Sequence, residues 1–204
     1  LMAGYTYYIV VDGYGGDCGT YDLSVMEHVV VPPCIECPAG GVAEGEPDCY
    51  DNYEDVSNGG CNNEPNIFGA VPCTTTPGAT TTICGTNGLY DYYGSTYRDT
   101  DWYLIEAQYN TGLTVCLTPA VEMILGYITA VPCAQSSGYF DDYGYAAACA
   151  TFCLNVPAAG DYWLWVGAAE GDCGSLYLLD ITGYECGSVA IEPSSWGAIK
   201  GNYR

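Results

Sequence analysis

The sequence predicts an all-β fold: an antiparallel β-sandwich stapled by disulfides, with an additional β-hairpin at its N-terminus. Three observations carry that expectation. The 204 residues are rich in Gly, Tyr, Thr, Val and Ile, and they lack long Ala/Leu/Lys/Glu stretches of the kind that build helices. Between 101 and 107, Trp102, Leu104 and Glu106 alternate with Tyr103, Ile105 and Ala107. That is the period of a strand, and large residues on both faces mark one that lies between two layers. Thirteen cysteines are too many for a reducing compartment unless they bind metal, and only Cys34 and Cys37 have metal-like spacing, without a second pair or histidines to complete a site. Thirteen is odd, so at least one thiol is free or pairs outside the chain.

The strands follow in order. Residues 5–12 and 20–25 read as a hairpin around Gly13 to Gly19. Its turn, Gly16-Asp17-Cys18-Gly19, recurs as Gly171-Asp172-Cys173-Gly174 between similar flanks, an internal repeat. The second copy has a domain ahead of it and the first has none. The first hairpin, residues 1–31, therefore reads as the end of a preceding copy or as a strand donor to another molecule. Residues 32–57 are an acidic, Pro/Gly-rich connector. The main sandwich is expected over 58–186, with strands at 81–84, 101–108, 112–118, 120–128, 151–156, 162–167 and 176–182. Residues 139–150 read as a Tyr/Asp-rich loop with one helical turn at 146–148, and 187–204 as a tail. Short separations make Cys73–Cys84 and Cys173–Cys186 the expected local bridges, and Cys49 and Cys61 are expected to join Cys73 and Cys84 in stapling the turn-rich stretch.

Twenty-five acids against three Lys and Arg give a formal net charge of -22. A polyanion would be repelled and no basic stripe exists to release counterions, which excludes nucleic acid as a partner and disfavours an anionic membrane surface. No apolar run reaches 18 residues, so no membrane span is expected. The opening Leu1-Met2-Ala3-Gly4 has no signal-peptide character and reads as the start of the observed part of a secreted precursor. Divalent cations would relieve the self-repulsion. Glu44, Glu46, Asp48, Asp51, Asp99 and Asp101 are the candidates for calcium, within an acidic run from Glu44 to Asp55 that otherwise reads as a solvated face. No cofactor is required. Arg98, the only cation before residue 200, is expected to pair with Asp99 or Asp101, or to sit in a carbonyl-rich turn, at the start of the central strand.

Asp101-Trp102-Tyr103, then Ala159-Gly160-Asp161-Tyr162-Trp163-Leu164-Trp165-Val166 and Cys173-Gly174-Ser175-Leu176-Tyr177-Leu178-Leu179, resemble the bacterial pre-peptidase C-terminal domain. The resemblance spans roughly 58–186. It implies a jelly-roll-like sandwich carried on secreted enzymes and surface proteins, and it permits calcium. The high cysteine content departs from the commoner members. Ser194 to Lys200, followed by Tyr203-Arg204, resembles the C-terminal sorting segments of exported bacterial proteins.

Catalysis is not expected. His28 is the single imidazole and lies after the hairpin, while carboxylate pairs such as Asp99/Asp101 or Asp141/Asp142 arise without meaning in so acidic a chain. Two readings remain. The first is an extracellular structural protein that associates with itself head to tail into a filament or surface array, through Tyr5, Tyr7, Ile9 and Val11 at one end and Ile191, Trp196, Lys200 and Arg204 at the other. The second is an accessory module of a secreted enzyme, in which Tyr90, Tyr92, Tyr93, Tyr97, Tyr139, Tyr143 and Tyr145 stack on a polysaccharide or hold a matrix protein.

Overall fold

The computed structural model describes residues 8–10, 15, 19–20, 34–107, 112–129, 133, 140–157 and 160–187. The chain divides into two units, Leu1–Pro32 and Pro33–Arg204. The N-terminal hairpin, with Tyr5, Tyr7 and Val11, falls almost wholly outside the described residues, as do Ile191, Trp196, Lys200 and Arg204; Ile9 is described and exposed.

The second unit is all β. Its strands are β1 (Val42–Ala43), β2 (Gly69–Ala70), β3 (Thr80–Asn87), β4 (Leu89–Tyr92), β5 (Ser95–Arg98) and β6 (Thr100–Glu106), then β7 (Leu113–Pro119), β8 (Met123–Ile128), β9 (Asp142–Ala146), β10 (Phe152–Val156), β11 (Asp161–Ala168) and β12 (Ser175–Thr182). One sheet runs β1-β3-β12-β7-β10, the other β2-β6-β11-β8-β9, and β4-β5 stands apart as a hairpin. All pairings are antiparallel except β1 with β3 and β2 with β6.

Alternation builds the core between the sheets. Tyr177, Leu179 and Ile181 of β12 and Leu113, Val115 and Leu117 of β7 point inward, opposite Tyr103 and Ile105 of β6, Leu125 of β8 and Leu164 and Val166 of β11. The other face of β6 and β11 is covered too. Trp102, Ile124, Ile128 and Trp165 form a second apolar cluster there with Phe68 and Phe140 against it. β6 is thus the doubly covered strand that its alternation predicts. Arg98 does not take the expected carboxylate partner; its guanidinium lies 5.8 Å over the ring of Trp165.

The disulfides correct the sequence expectation. Cys73 pairs with Cys186, Cys84 with Cys37 and Cys173 with Cys49, and the remaining bridges are Cys34–Cys149, Cys61–Cys133 and Cys116–Cys153. Cys173 and Cys186 flank the eight residues of β12, which at roughly 3.4 Å per residue hold them some 27 Å apart, at opposite ends of the sandwich. Cys73 and Cys84 are separated in the same way, because Cys84 sits in mid-strand on β3 beside Ala43. Twelve of the thirteen cysteines are bridged; Cys18 lies outside the described residues.

Three further differences follow from turn chemistry. β4 and β5, read as loop, form a tight hairpin, because Tyr93 and Gly94 both take positive φ (48° and 81°), the requirement of a type I′ turn. Residues 142–146, also read as loop, are edge strand β9, whose inward positions carry only Gly144 and Ala146 while Tyr143 and Tyr145 face solvent. The residues after it make a turn closed by Ala150 N–H to Ala147 O (3.0 Å), not a helical turn. Finally, Gly171 to Gly174 does not close a hairpin. β11 and β12 lie in different sheets, so the segment is an arch over the end of the sandwich, with Leu89 N–H bonded to Gly171 O at 2.9 Å.

Gly88 sits under that arch, and a Cβ there would lie 2.4 Å from the backbone nitrogen of Cys173. Backbone cannot step aside as a side chain can. Gly88→Ala is expected to destabilise the protein by roughly 1–3 kcal/mol in denaturant titration; a loss under a few tenths would mean the arch does not pack this closely. Peptide mapping without reduction is expected to return Cys49–Cys173 and Cys73–Cys186, and recovery of Cys173–Cys186 would overturn the arrangement.

Candidate functional site

The arch end of the sandwich collects the acids. Glu44 follows β1 and is carried inward because β1 pairs with β3 and Cys37 is bridged to Cys84. Its Oε1 accepts the backbone N–H of Thr86 (2.5 Å), and its Oε2 accepts the hydroxyls of Tyr103 (2.9 Å) and Tyr177 (2.8 Å), which are 2.6 Å from each other. Asp101 occupies the inward face of β6, two positions before Tyr103, and is fully buried. Its Oδ2 accepts from Asn87 Nδ2 at 2.9 Å, and Asn87 Oδ1 in turn accepts the backbone N–H groups of Gly88 and Ala168, both at 2.8 Å. Asn87 is satisfied. Asp101 is not, because its Oδ1 is buried without a partner.

Glu46 joins two groups of carboxylates. Ligand oxygens of Glu44, Glu46 and Asp101 lie within 4.8 Å of one another, and so do those of Glu46, Asp55 and Asp99. Glu46 Oε1 accepts from the Tyr53 hydroxyl and its Oε2 has no partner. Asp55 Oδ1 caps a turn by accepting the N–H groups of Ser57 (2.7 Å) and Asn58 (3.3 Å), leaving Oδ2 orphaned. The side-chain oxygens of Asn58 and Asn63 are orphaned as well. Gly59 makes the space, since a Cβ there would sit 2.1 Å from Asp55 Oδ2 and 2.8 Å from Asn63 Oδ1.

Burial without a counter-charge shows in the protonation of the cluster. Burial above all, then the charges of Asp99, Asp55 and Glu44, pushes Glu46 up to about 8 against the pull of its Tyr53 hydrogen bond. Asp99 is pushed up to about 7 by burial and then by Asp55 and Glu44. Glu44 is raised by burial, and Asp101 is raised well above the carboxylate range by burial and by Glu44 and Asp99.

Of the acids singled out from sequence, the structure gathers Glu44, Glu46, Asp99 and Asp101, with Asp55 from the same acidic run. Asp48 and Asp51 are elsewhere. Asp48 Oδ1 accepts from Thr86 Oγ1 (2.8 Å) and Asp51 Oδ1 from the Asp91 N–H (3.2 Å), so both pin the loop to its neighbours. The oxygens of Asn58 and Asn63 were not foreseen. Their signal is Asp55-Val-Ser-Asn58-Gly59-Gly60, a turn sequence in which an acid and an amide sit beside glycines.

A groove of about 490 Å³ opens over the outer triad, with Asp55 and Asp99 in its lining. Its wall is the hairpin. Tyr90 and Tyr97 are cross-strand partners whose rings lie 6.3 Å apart and 27° from parallel, and Tyr92 shares their face. Tyr53 meets Tyr90 edge-on at 5.9 Å, and Tyr50 and Tyr93 extend the row at either end. The expected clustering of Tyr90, Tyr92, Tyr93 and Tyr97 is realised on a hairpin instead of a loop. Tyr143 and Tyr145 stand on β9 instead, and Tyr139 lies outside the described residues.

No helix among the described residues is long and apolar enough to cross a membrane. No protein-family model matches the sequence, and no curated protein matches it. Among solved structures the chain is similar to the crystal structure of Aeromonas hydrophila PliG, a periplasmic lysozyme inhibitor of g-type lysozyme, with 16% identity, a TM-score of 0.38, and coverage of 55% of this chain and 94% of that one.

Proposed function

We propose that this is a non-catalytic extracellular structural protein whose subunits associate head to tail, and whose sandwich is closed at the arch end by a bound calcium ion. The observation that carries the reading is the set of orphaned oxygens around Glu46: five buried acceptors, Asp101 Oδ1 among them, with no hydrogen-bond donor among the described residues. A buried carboxylate without a partner costs several kcal/mol, and a cation is the partner that five acceptors share. The donor set is all oxygen, which suits a hard cation. Calcium fits better than magnesium because it takes six to eight oxygens in irregular geometry, whereas magnesium demands a near-octahedral shell and keeps its waters. Glu44, Glu46 and Asp101 would hold the ion, with Asp55 and Asp99 as the outer ligands.

A non-catalytic role is supported by what surrounds the acids. They meet tyrosine hydroxyls, amides and backbone N–H groups. Six disulfides suit an oxidising compartment outside the cytoplasm. Self-association is supported by charge, since a chain of net -22 carries Lys200 and Arg204 in its last five residues. The second reading, a secreted accessory module of the kind the pre-peptidase C-terminal resemblance implies, is favoured by the near-parallel Tyr90 and Tyr97 rings, a platform for a sugar ring.

Millimolar calcium in place of EDTA is expected to raise the melting temperature by roughly 5–10 °C, the effect of about 2.7 kcal/mol from a ligand at a hundred times its Kd on a domain of this size. Asp101→Asn removes most of that rise and leaves the EDTA curve unchanged or higher. Identical curves for the intact protein in calcium and EDTA would falsify the site. Negative stain and sedimentation velocity test assembly: fibres or concentration-dependent oligomers are expected, and monomers that bind a polysaccharide favour the second reading.

The pH dependence has a definite sign. Glu46 and Asp99 have folded-state values above those of the unfolded chain, so without metal the folded state holds more protons between the ordinary carboxylate range and about 8. In EDTA, stability is then greatest near pH 4 to 5 and declines as pH rises through about 7 and 8. Calcium binds the deprotonated acids, so its stabilising effect grows over that same interval. Flat stability in EDTA from about pH 5 to 8 would contradict the assignment.

A further inference from the structure

We infer that the groove between the β4-β5 hairpin and residues 53–64 receives the C-terminal segment of a second copy of this chain, with Lys200 and Arg204 against its carboxylates and tyrosine rings. The inference rests on the head-to-tail reading and names its contact. Charge selects the occupant. Glu54, Asp55, Glu64 and Asp99 line the groove against one cation, Arg98, and Glu54 and Glu64 are exposed. The chain has three Lys and Arg. Arg98 is engaged over Trp165, which leaves Lys200 and Arg204.

The aromatic wall matches the same chemistry. The faces of Tyr90, Tyr92 and Tyr97 are electron-rich surfaces on which an ammonium or guanidinium is attracted, most strongly where carboxylates stand close by. Tyr97 is half exposed and Tyr93 is 85% exposed, so this row lacks a cover within the described residues. Lys200 and Arg204 are four residues apart, at most roughly 14 Å, a span that lets both side chains reach one groove.

Topology sets the root of the tail and the groove at different ends of the sandwich. β12 runs from Ser175, paired with Asn87 at the arch end, to Thr182, paired with Thr80 at the far end. The tail is rooted there: Glu185 bridges to Thr74, and Cys186 is bonded to Cys73. The groove adjoins the other end, where Asp99 N–H bonds to Gly88 O at 2.9 Å. The described chain thus leaves the sandwich at one end and presents its groove at the other. A contact of tail with groove between copies is heterologous and repeats from copy to copy.

Lys200 is the only lysine, so apart from the terminal amine a carbodiimide can join a carboxylate to one place in the chain. The experiment mixes full-length ¹⁵N-labelled and unlabelled protein under assembling conditions, treats it with carbodiimide and maps cross-linked peptides by mass spectrometry. The expected product is an amide between Lys200 of one isotopic form and Glu54 or Glu64 of the other. Glu64→Lys, a change at an exposed position, is expected to remove most of that product and raise the concentration needed for assembly about tenfold. Tyr97→Ala is expected to weaken assembly without changing the calcium-dependent melting shift. Cross-links confined to one isotopic form would put the tail on its own domain and overturn the inference. Assembly with Lys200 joined elsewhere, or undiminished in Glu64→Lys, would overturn the groove while leaving self-association standing. Absence of assembly under all conditions would remove the head-to-tail reading itself.

Discussion

The two sheets and the acidic loop meet at one polar knot, the Glu44 carboxylate under the hydroxyls of Tyr103 and Tyr177. Tyr103 stands on one sheet and Tyr177 on the other, both are fully buried, and their hydroxyls are within hydrogen-bond distance of each other and of Glu44 Oε2. A buried hydroxyl left without a partner costs about 1–3 kcal/mol, so the pair demands an acceptor between the sheets. Glu44 is that acceptor, and the loop that brings it is thereby part of the core. Cys34, Cys37 and Cys49 of the same loop are each bridged to the sandwich, at Cys149, Cys84 and Cys173. Residues that read as a connector are held like an extra layer.

Once Glu44 is in place, the charge problem follows. Asp101 is committed to the interior by the alternation of β6, since the face that carries Tyr103 and Ile105 into the core carries Asp101 with them. Asn87 relieves one of its oxygens and no group among the described residues relieves the other. An apolar residue at 101 would avoid the penalty, and buried carboxylates are commonly no more stabilising than well-packed apolar replacements. The surrounding acids make the penalty worse, not better. Such an arrangement is stable when it meets a cation or keeps its protons, and burial raises Glu44, Glu46, Asp99 and Asp101 toward the protonated form, with which the proposed calcium would compete.

The strand pattern was legible in the sequence wherever inward residues are large. β3, β6, β7, β8, β10, β11 and β12 all lie where alternation of Ile, Leu, Val and Tyr places them. β9 escaped because its inward positions are Gly144 and Ala146, and β4-β5 because a Tyr93-Gly94 turn lacks the usual Asn or Asp before its glycine. The cysteine pairs escaped for a different reason. Nearness in sequence predicts a bridge only when the intervening residues turn back, and an eight-residue strand instead carries its flanks apart. At the site, abundance of acids told which residue types were present but not which would converge. Asp48 and Asp51 sit within a few residues of Glu46 and point elsewhere, and Asn58 and Asn63 carry no charge to draw notice.

Disulfides and a cation would act on opposite sides of the folding equilibrium. Bridges closing 113, 115 and 124 residues reduce the freedom of the unfolded chain, and their effect does not depend on what is bound. A cation acts only on the folded state, by mass action, and its effect rises with concentration. With the bridges present, metal-free chains keep their topology even though the arch end carries unpaired carboxylates. Loading the ion would then change the order and charge of that end alone. Because Asp55 and Asp99 belong both to the cluster and to the groove lining, the proposed ion would share a boundary with the tyrosine wall, and binding in the groove would then be coupled to its presence.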